Sequence, residues 1–153
     1  MNKKQKTESR QYYNPSLTTD VVLIATDEKG ERRVLLIKRK NPPYQGRWAF
    51  PGGFIDENET LKQCALRELE EETGVGLSEN DLSLLLVADD PERDPRKRVI
   101  SVVYLAQGEI ANFFPRSGDD AAEVGWFPLD SPPDLAFDHA LILSQAVKNS
   151  GDA

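Results

Sequence analysis

Short apolar runs, separated by polar, glycine- and proline-bearing breaks, set the pattern of this chain and predict several strands and two helices. Asp20–Thr26 (DVVLIAT) and Arg33–Lys38 (RVLLIK) have strand length. The intervening Asp27-Glu28-Lys29-Gly30 reads as the turn of a β-hairpin. Two prolines keep Lys40–Gly46 (KNPPYQG) out of any central strand. Trp48 and Phe50 alternate around Ala49, Pro51 ends that segment, and Gly52-Gly53 predict a tight backbone turn. Leu82–Ala88 and Val99–Ala106 read as strands, the second apolar enough throughout to be central. Glu123–Pro128 is a further short strand. After Pro132-Pro133, Phe137–Lys148 predicts a closing amphipathic helix with Leu141, Ile142 and Ala146 on its apolar side. Residues 1–16 are polar and aperiodic and read as a tail, followed by one domain over 17–149 and a short tail over 150–153. Strands, a helix, more strands and a terminal helix make an α+β fold with a mixed central sheet.

The most informative segment runs from Gly53 to Val75 (GFIDENETLKQCALRELEEETGV). Thr60 and Gln63 have the spacing of a capping box, and Gly74 is a natural helix stop. Leu61, Cys64, Ala65 and Leu69 define one apolar face. At about 100° per residue, Glu68 and Glu72 fall within that apolar arc, Glu71 lies at its edge, and Glu70 points away. A merely solvated acidic helix would keep its carboxylates off the apolar face. Like charges at i+3 and i+4 repel, and acids crowd a last turn where the helix dipole favours cations. Tolerating both costs on a half-buried face points to a hard divalent cation held by oxygen, Mg²⁺ or Mn²⁺.

Gly53, Glu59, Arg67, Glu68, Leu69, Glu71, Glu72, Gly74 and Val75 match the Nudix box, G-x5-E-x7-R-E-U-x-E-E-x-G-U with U aliphatic, at every position. The chain therefore resembles the Nudix hydrolases from about Asp20 to Val147. The resemblance implies an α/β/α sandwich and hydrolysis of a nucleoside diphosphate linked to another moiety. It makes Glu68, Glu71 and Glu72 the principal metal ligands, with Gly53 offering its carbonyl. Glu59 assists the metal shell or orients Arg67, and Arg67 holds the glutamates in register. For the general base, Glu72 or Glu68 ranks first and Glu123 second, with Asp119 and Asp120 as further loop candidates.

Outside the box, LIKRKNPPYQGRWAFPGGFID, DPERDPRKRVISVVYLA, GDDAAEVGWFPLD and LAFDHALIL resemble the ADP-ribose pyrophosphatase branch. That resemblance implies cleavage of ADP-ribose to AMP and ribose 5-phosphate, and it is compatible with a homodimer. Arg39 closes a strand from which it could reach a phosphate. Trp48, Phe50 and Tyr44 offer ring surface near an adenine. Arg93, Arg96, Lys97 and Arg98 offer local positive charge, and Asp120 is a further substrate-binding candidate. The lone His139, at a helix start without a Ser or Cys partner, reads as structural rather than catalytic.

Composition narrows the alternatives. A formal net charge of −7 argues against general nucleic-acid binding, and an anionic substrate must then be held by local Arg or Lys and by metal. No apolar run has membrane-span length, and the N-terminus lacks the apolar region of a secretory signal. A single cysteine, Cys64, on the apolar arc reads as a core thiol and agrees with a reducing cytoplasm. Two rival readings remain: a nucleoside triphosphate pyrophosphohydrolase, and a non-catalytic ADP-ribose-sensing module. An intact box, and no residues after Ala153 for a DNA-binding domain, weigh against the sensor.

Overall fold

The computed structural model describes residues 11–118 and 121–151. The described residues form seven strands: β1 (Ser16–Thr26), β2 (Arg32–Arg39), β3 (Trp48–Ala49), β4 (Gly52–Phe54), β5 (Ser83–Ala88), β6 (Val99–Glu109) and β7 (Ala121–Pro128). Among the described residues the α-helices are α1 (Leu61–Thr73) and α2 (His139–Asn149). The strands form one mixed sheet in the order β3-β2-β1-β6-β5, with β4 on β1 and β7 on β2. β1 and β6 run parallel over their whole length, and the other pairings are antiparallel.

The apolar runs explain the layering. Val21 and Leu23 face one way with Leu35, Val102 and Tyr104, against Ala65 and Leu69 of α1. Val22 and Ile24 face the other way with Val34, Leu36 and Val103, against Ile142, Leu143 and Ala146 of α2. A strand buried on both faces has to be apolar at consecutive positions, as VVLIA is. The expected sandwich of helix, sheet and helix follows.

Several details depart from the expectations. β1 starts at Ser16 because Thr18, Thr19 and Asp20, though polar, pair with β4 on one edge and β6 on the other. Gly52 and Gly53 form no turn: they lie in β4, opposite Asp20 and Thr19, and neither has a positive φ. Their lack of a side chain serves close approach instead. A Cβ on Gly52 would overlap the Thr19 carbonyl oxygen, and one on Gly53 would sit 2.5 Å from the Glu68 carboxyl carbon. On α2 the buried face is His139, Ile142, Leu143 and Ala146, and Leu141 is 73% exposed. The face follows the i, i+3, i+4, i+7 spacing from the first helical residue, which leaves Leu141 outside it.

A fork in the sheet positions the site. β1 pairs with β2 only at Ile24–Thr26 and with β4 only at Thr18–Asp20, on the same edge. Beyond Val34, β2 leaves β1 and takes β3 at Ile37 and Lys38. Phe50 and Pro51 cross this gap between β3 and β4, and the Val21 N–H bonds the Pro51 carbonyl at 2.9 Å. A cleft opens where the strands part.

Candidate active site

α1 carries one wall of the cleft. Thr60 and Gln63 form the expected capping box, and Gly74 ends the helix at φ +74° with its N–H on the Glu70 carbonyl. No basic residue occupies the helix's own last turn. The loop before β7 compensates: the N–H groups of Arg116 and Gly118 bond the carbonyls of Thr73 and Glu72 at 2.8 and 3.0 Å.

On the inward face of α1, Glu72 is buried, and its Oε1 accepts the Gly52 N–H at 2.7 Å. Glu68 projects beside it toward Gly53. Arg67 organises the acids from behind. Its Nε and Nη2 bond both oxygens of Glu59 at 3.0 and 2.7 Å, and Nη1 reaches Glu68 at 2.8 Å and Glu71 at 3.2 Å. Nη2 also bonds the Phe54 carbonyl at 3.1 Å, tying the helix to β4. Bonding to Arg67, and then to the Asp56 N–H, pulls the Glu59 carboxyl down to about 2. The Arg67 guanidinium is pushed up in turn, first by its bonds to Glu59. Cys64 is a core thiol that accepts from the Thr19 hydroxyl, and burial pushes it up to about 11.

The opposite wall is basic and aromatic. Arg39, at the end of β2, is held by the Pro43 carbonyl at 2.7 Å and lies over the Phe137 ring at 5.0 Å. Arg96 is clamped by Asp94 at 2.7 and 3.0 Å and lies near both the Phe54 and Phe137 rings. Arg93 is buried and gripped by both oxygens of Asp138 at 2.8 and 2.9 Å. At the floor, Asp20 accepts the Ser101 hydroxyl at 2.5 Å and lies 3.9 Å from His139 Nε2. The cleft between the walls has a volume of about 460 Å³, within the range of small-molecule sites.

Of the residues singled out in the sequence, Glu68, Glu72, Gly53, Phe50, Arg39, Arg93 and Arg96 line this cleft, with Glu59 and Arg67 packed behind Glu68. Others lie elsewhere. The Glu71 side chain is 56% exposed and leans on Arg67 rather than into the cleft. Trp48 packs edge-on against Phe127 in the core, because the chain from Asp134 to Ala136 hydrogen-bonds along β3. The Phe50 ring is buried against His139, leaving little of it to face a ligand. Glu123 lies on β7 opposite Lys38 and pairs with its ammonium at 3.3 Å, outside the cleft lining. Asp119 and Asp120 lie outside the described residues.

Sequence reasoning passed over Asp20, Asp94, Phe137 and the pocket-facing position of His139. Asp20 had a signal: a carboxylate ending a polar triplet just before a doubly buried strand must find a buried partner. Phe137 takes φ +52°, uncommon for a non-glycine residue, and nothing in its neighbours announces that.

The donors fit a hard divalent ion in kind: Glu68 and Glu72 offer carboxylate oxygen, and the side-chain-free Gly53 lets the Glu68 carboxylate approach β4. Among the described residues, no three His, Cys, Asp or Glu side chains are gathered into a ready-made cage. Nor is any helix among them long and apolar enough to cross a membrane.

Comparison with known proteins accords with this geometry. The NUDIX domain family matches residues 16–146. The ADP-ribose pyrophosphatase of Methanocaldococcus jannaschii is 41% identical over 142 residues, covering 91% of this chain and 77% of that protein. The ADPR responsive transcriptional repressor NtrR of Acinetobacter baylyi is 34% identical over 88% of this chain, which spans about half (54%) of the repressor. Among solved structures, the NUDIX domain of Shewanella oneidensis NrtR complexed with ADP ribose superposes with a TM-score of 0.83 at 30% identity, covering 99% of this chain and 100% of that one. A match running from the first strand into the last helix, over a sheet whose fork sets glycines against a glutamate helix, makes this chain a Nudix hydrolase.

Proposed function

We propose that the chain hydrolyses ADP-ribose to AMP and ribose 5-phosphate with the help of a divalent cation. The observation that carries this reading is the opposed charge of the two walls, with Glu68 and Glu72 facing Arg39 and Arg96 across one cleft. A diphosphate between two organic groups fits such a site: arginines take its oxygens from one side, and carboxylates hold a cation on the other. The chemistry that Mg²⁺ or Mn²⁺ supplies when bound is neutralisation of diphosphate charge and acidification of the attacking water. Glu68 and Glu72 hold the cation, Glu59 and Arg67 orient them, and the proton of the attacking water passes to Glu72 or Glu68. Water adds to one phosphorus and the bridging P–O bond breaks. The likeness to a pyrophosphatase of ADP-ribose and to a domain solved with ADP ribose supports the choice of substrate.

The likeness to a repressor that responds to ADPR also favours a second reading, in which the same cleft binds ADP-ribose without turning it over. Incubation of the purified protein with Mg²⁺ and ADP-ribose, NADH or a panel of nucleoside triphosphates separates the readings. Release of AMP and ribose 5-phosphate is expected. Binding of ADP-ribose without products would favour the sensor, and release of pyrophosphate from triphosphates would favour a nucleotide-pool hydrolase.

A further inference from the structure

The crossing from β3 to β4 is two residues long, yet three different elements hold the backbone there. The Phe50 N–H donates to His139 Nδ1 at 3.1 Å, the Pro51 carbonyl accepts the Val21 N–H at 2.9 Å, and the Gly52 N–H donates to Glu72 at 2.7 Å. Phe50 lies past the end of β3, where its N–H has no strand partner, and a buried amide without an acceptor is strongly disfavoured. The sequence places its acceptor far along the chain, on the first residue of α2.

The imidazole is confined. Its ring is 3% exposed, stacks on Phe50 at 4.6 Å and 25°, and has Phe137 at 5.5 Å on another side. A neutral imidazole carries one donor and one acceptor, and accepting at Nδ1 leaves the proton on Nε2, the nitrogen facing Asp20. Each end of the ring therefore has its own use. Flipping it would set a hydrogen against the Phe50 N–H.

We propose that His139 is a positioning residue for hydrolysis: by accepting the Phe50 N–H at Nδ1, it fixes the β3–β4 crossing so that the Gly52 N–H stays aimed at Glu72. Helix α2, on the far face of the sheet, thus sets the orientation of a glutamate on α1. The inference rests on the reading that Glu72 acts in catalysis. The geometric part, from His139 to the Gly52 amide, is independent of it.

Two amide variants separate the two ends of the ring. His139→Asn places an acceptor oxygen near the Nδ1 position and loses the Nε2 donor, whereas His139→Gln keeps a donor near Nε2 and loses the Nδ1 acceptor. With Mg²⁺ and ADP-ribose, His139→Asn is expected to keep kcat within about threefold, and His139→Gln to lose about tenfold or more with little change in KM. Without substrate or metal, amide exchange at Gly52 should stay slow in the Asn variant and quicken by about tenfold or more in the Gln variant. Equal losses in both variants, or an undisturbed Gly52 amide in the Gln variant, would overturn the proposal. Should the Gln variant fail to fold, long-range ¹H–¹⁵N spectra of the wild-type imidazole decide instead. Unprotonated Nδ1 coupled to the Phe50 amide is expected, and a proton on Nδ1 refutes the idea. If wild-type protein turns over none of the substrates, the functional reading fails while the amide and imidazole spectra still decide the positioning.

Discussion

Gly52 and Gly53 are adjacent, yet substitution at each should be felt in a different measurement. A Cβ on Gly52 meets the Thr19 backbone, which cannot yield, whereas a Cβ on Gly53 meets the flexible end of Glu68. Gly52→Ala should therefore lower stability by about 1–3 kcal/mol, a Tm loss of about 2–4 °C per kcal/mol. Gly53→Ala should instead leave the Tm nearly unchanged while displacing the Glu68 carboxylate and cutting turnover. Thermal unfolding and steady-state rates on both variants check the contrast, and a Gly53→Ala enzyme of normal activity would separate Glu68 from the reaction. Arg67 bonds Glu59, Glu68 and Glu71 together, so Arg67→Ala should weaken Mn²⁺ binding by about 10–100-fold. Calorimetric titration measures this directly, and unchanged affinity would remove its organising role. At this scale the box residues were legible because helical spacing alone brings Glu68 and Glu72 to one face. Phe137 was not, and Asp20 signalled only that it needed a buried partner, since their neighbours across the cleft are remote in sequence.

At the scale of elements, α1 shows how far local signals reach. Its start and its glycine stop could be read from Thr60, Gln63 and Gly74, because caps depend on residues within a turn. The donors to its last carbonyls could not, since they come from Arg116 and Gly118, more than forty positions on. A Cβ on Gly118 would overlap the Glu71 carbonyl oxygen, a backbone atom that cannot swing aside. Gly118→Ala should lift the loop from the helix end, lower stability by about 1–3 kcal/mol and speed exchange of the residue 118 amide. Unchanged exchange there would mean that the loop does not clamp the helix. The β4 glycines teach a related lesson. A Gly-Gly pair after proline signals a turn when only local flexibility is weighed, but here it marks a strand squeezed between β1 and α1.

For the whole molecule, the buried imidazole links stability to pH. Burial pushes the His139 pKa down; Asp20 and Asp138 oppose that shift, and Arg93 and Arg39 add to it. Below about 6.5 the unfolded chain takes up a proton that native His139 refuses. Its contribution is thus complete above that value and falls away as pH drops toward the lower folded-state value. His139 is the only histidine, so the urea midpoint should decline between about pH 7 and 5.5 in wild-type protein and decline less in His139→Asn. A flat wild-type profile would contradict the neutral buried ring. Glu59 acts in the same direction at lower pH, since its carboxyl is held at about 2 against an ordinary 4.5. By itself the sequence determined the alternation of strands and helices, the apolar faces of β1 and α1, and the glutamates that share the inward side of one helix. Those properties follow from periods of two and 3.6 residues and from caps that act within a turn. Tertiary structure alone decided the fork between β1 and β2, the grip of Asp138 on Arg93 in the wall opposite α1, and the pairing of His139 with Phe50. Each depends on groups brought together from distant parts of the chain by burial of a common core, and no local period records which distant group will be the partner.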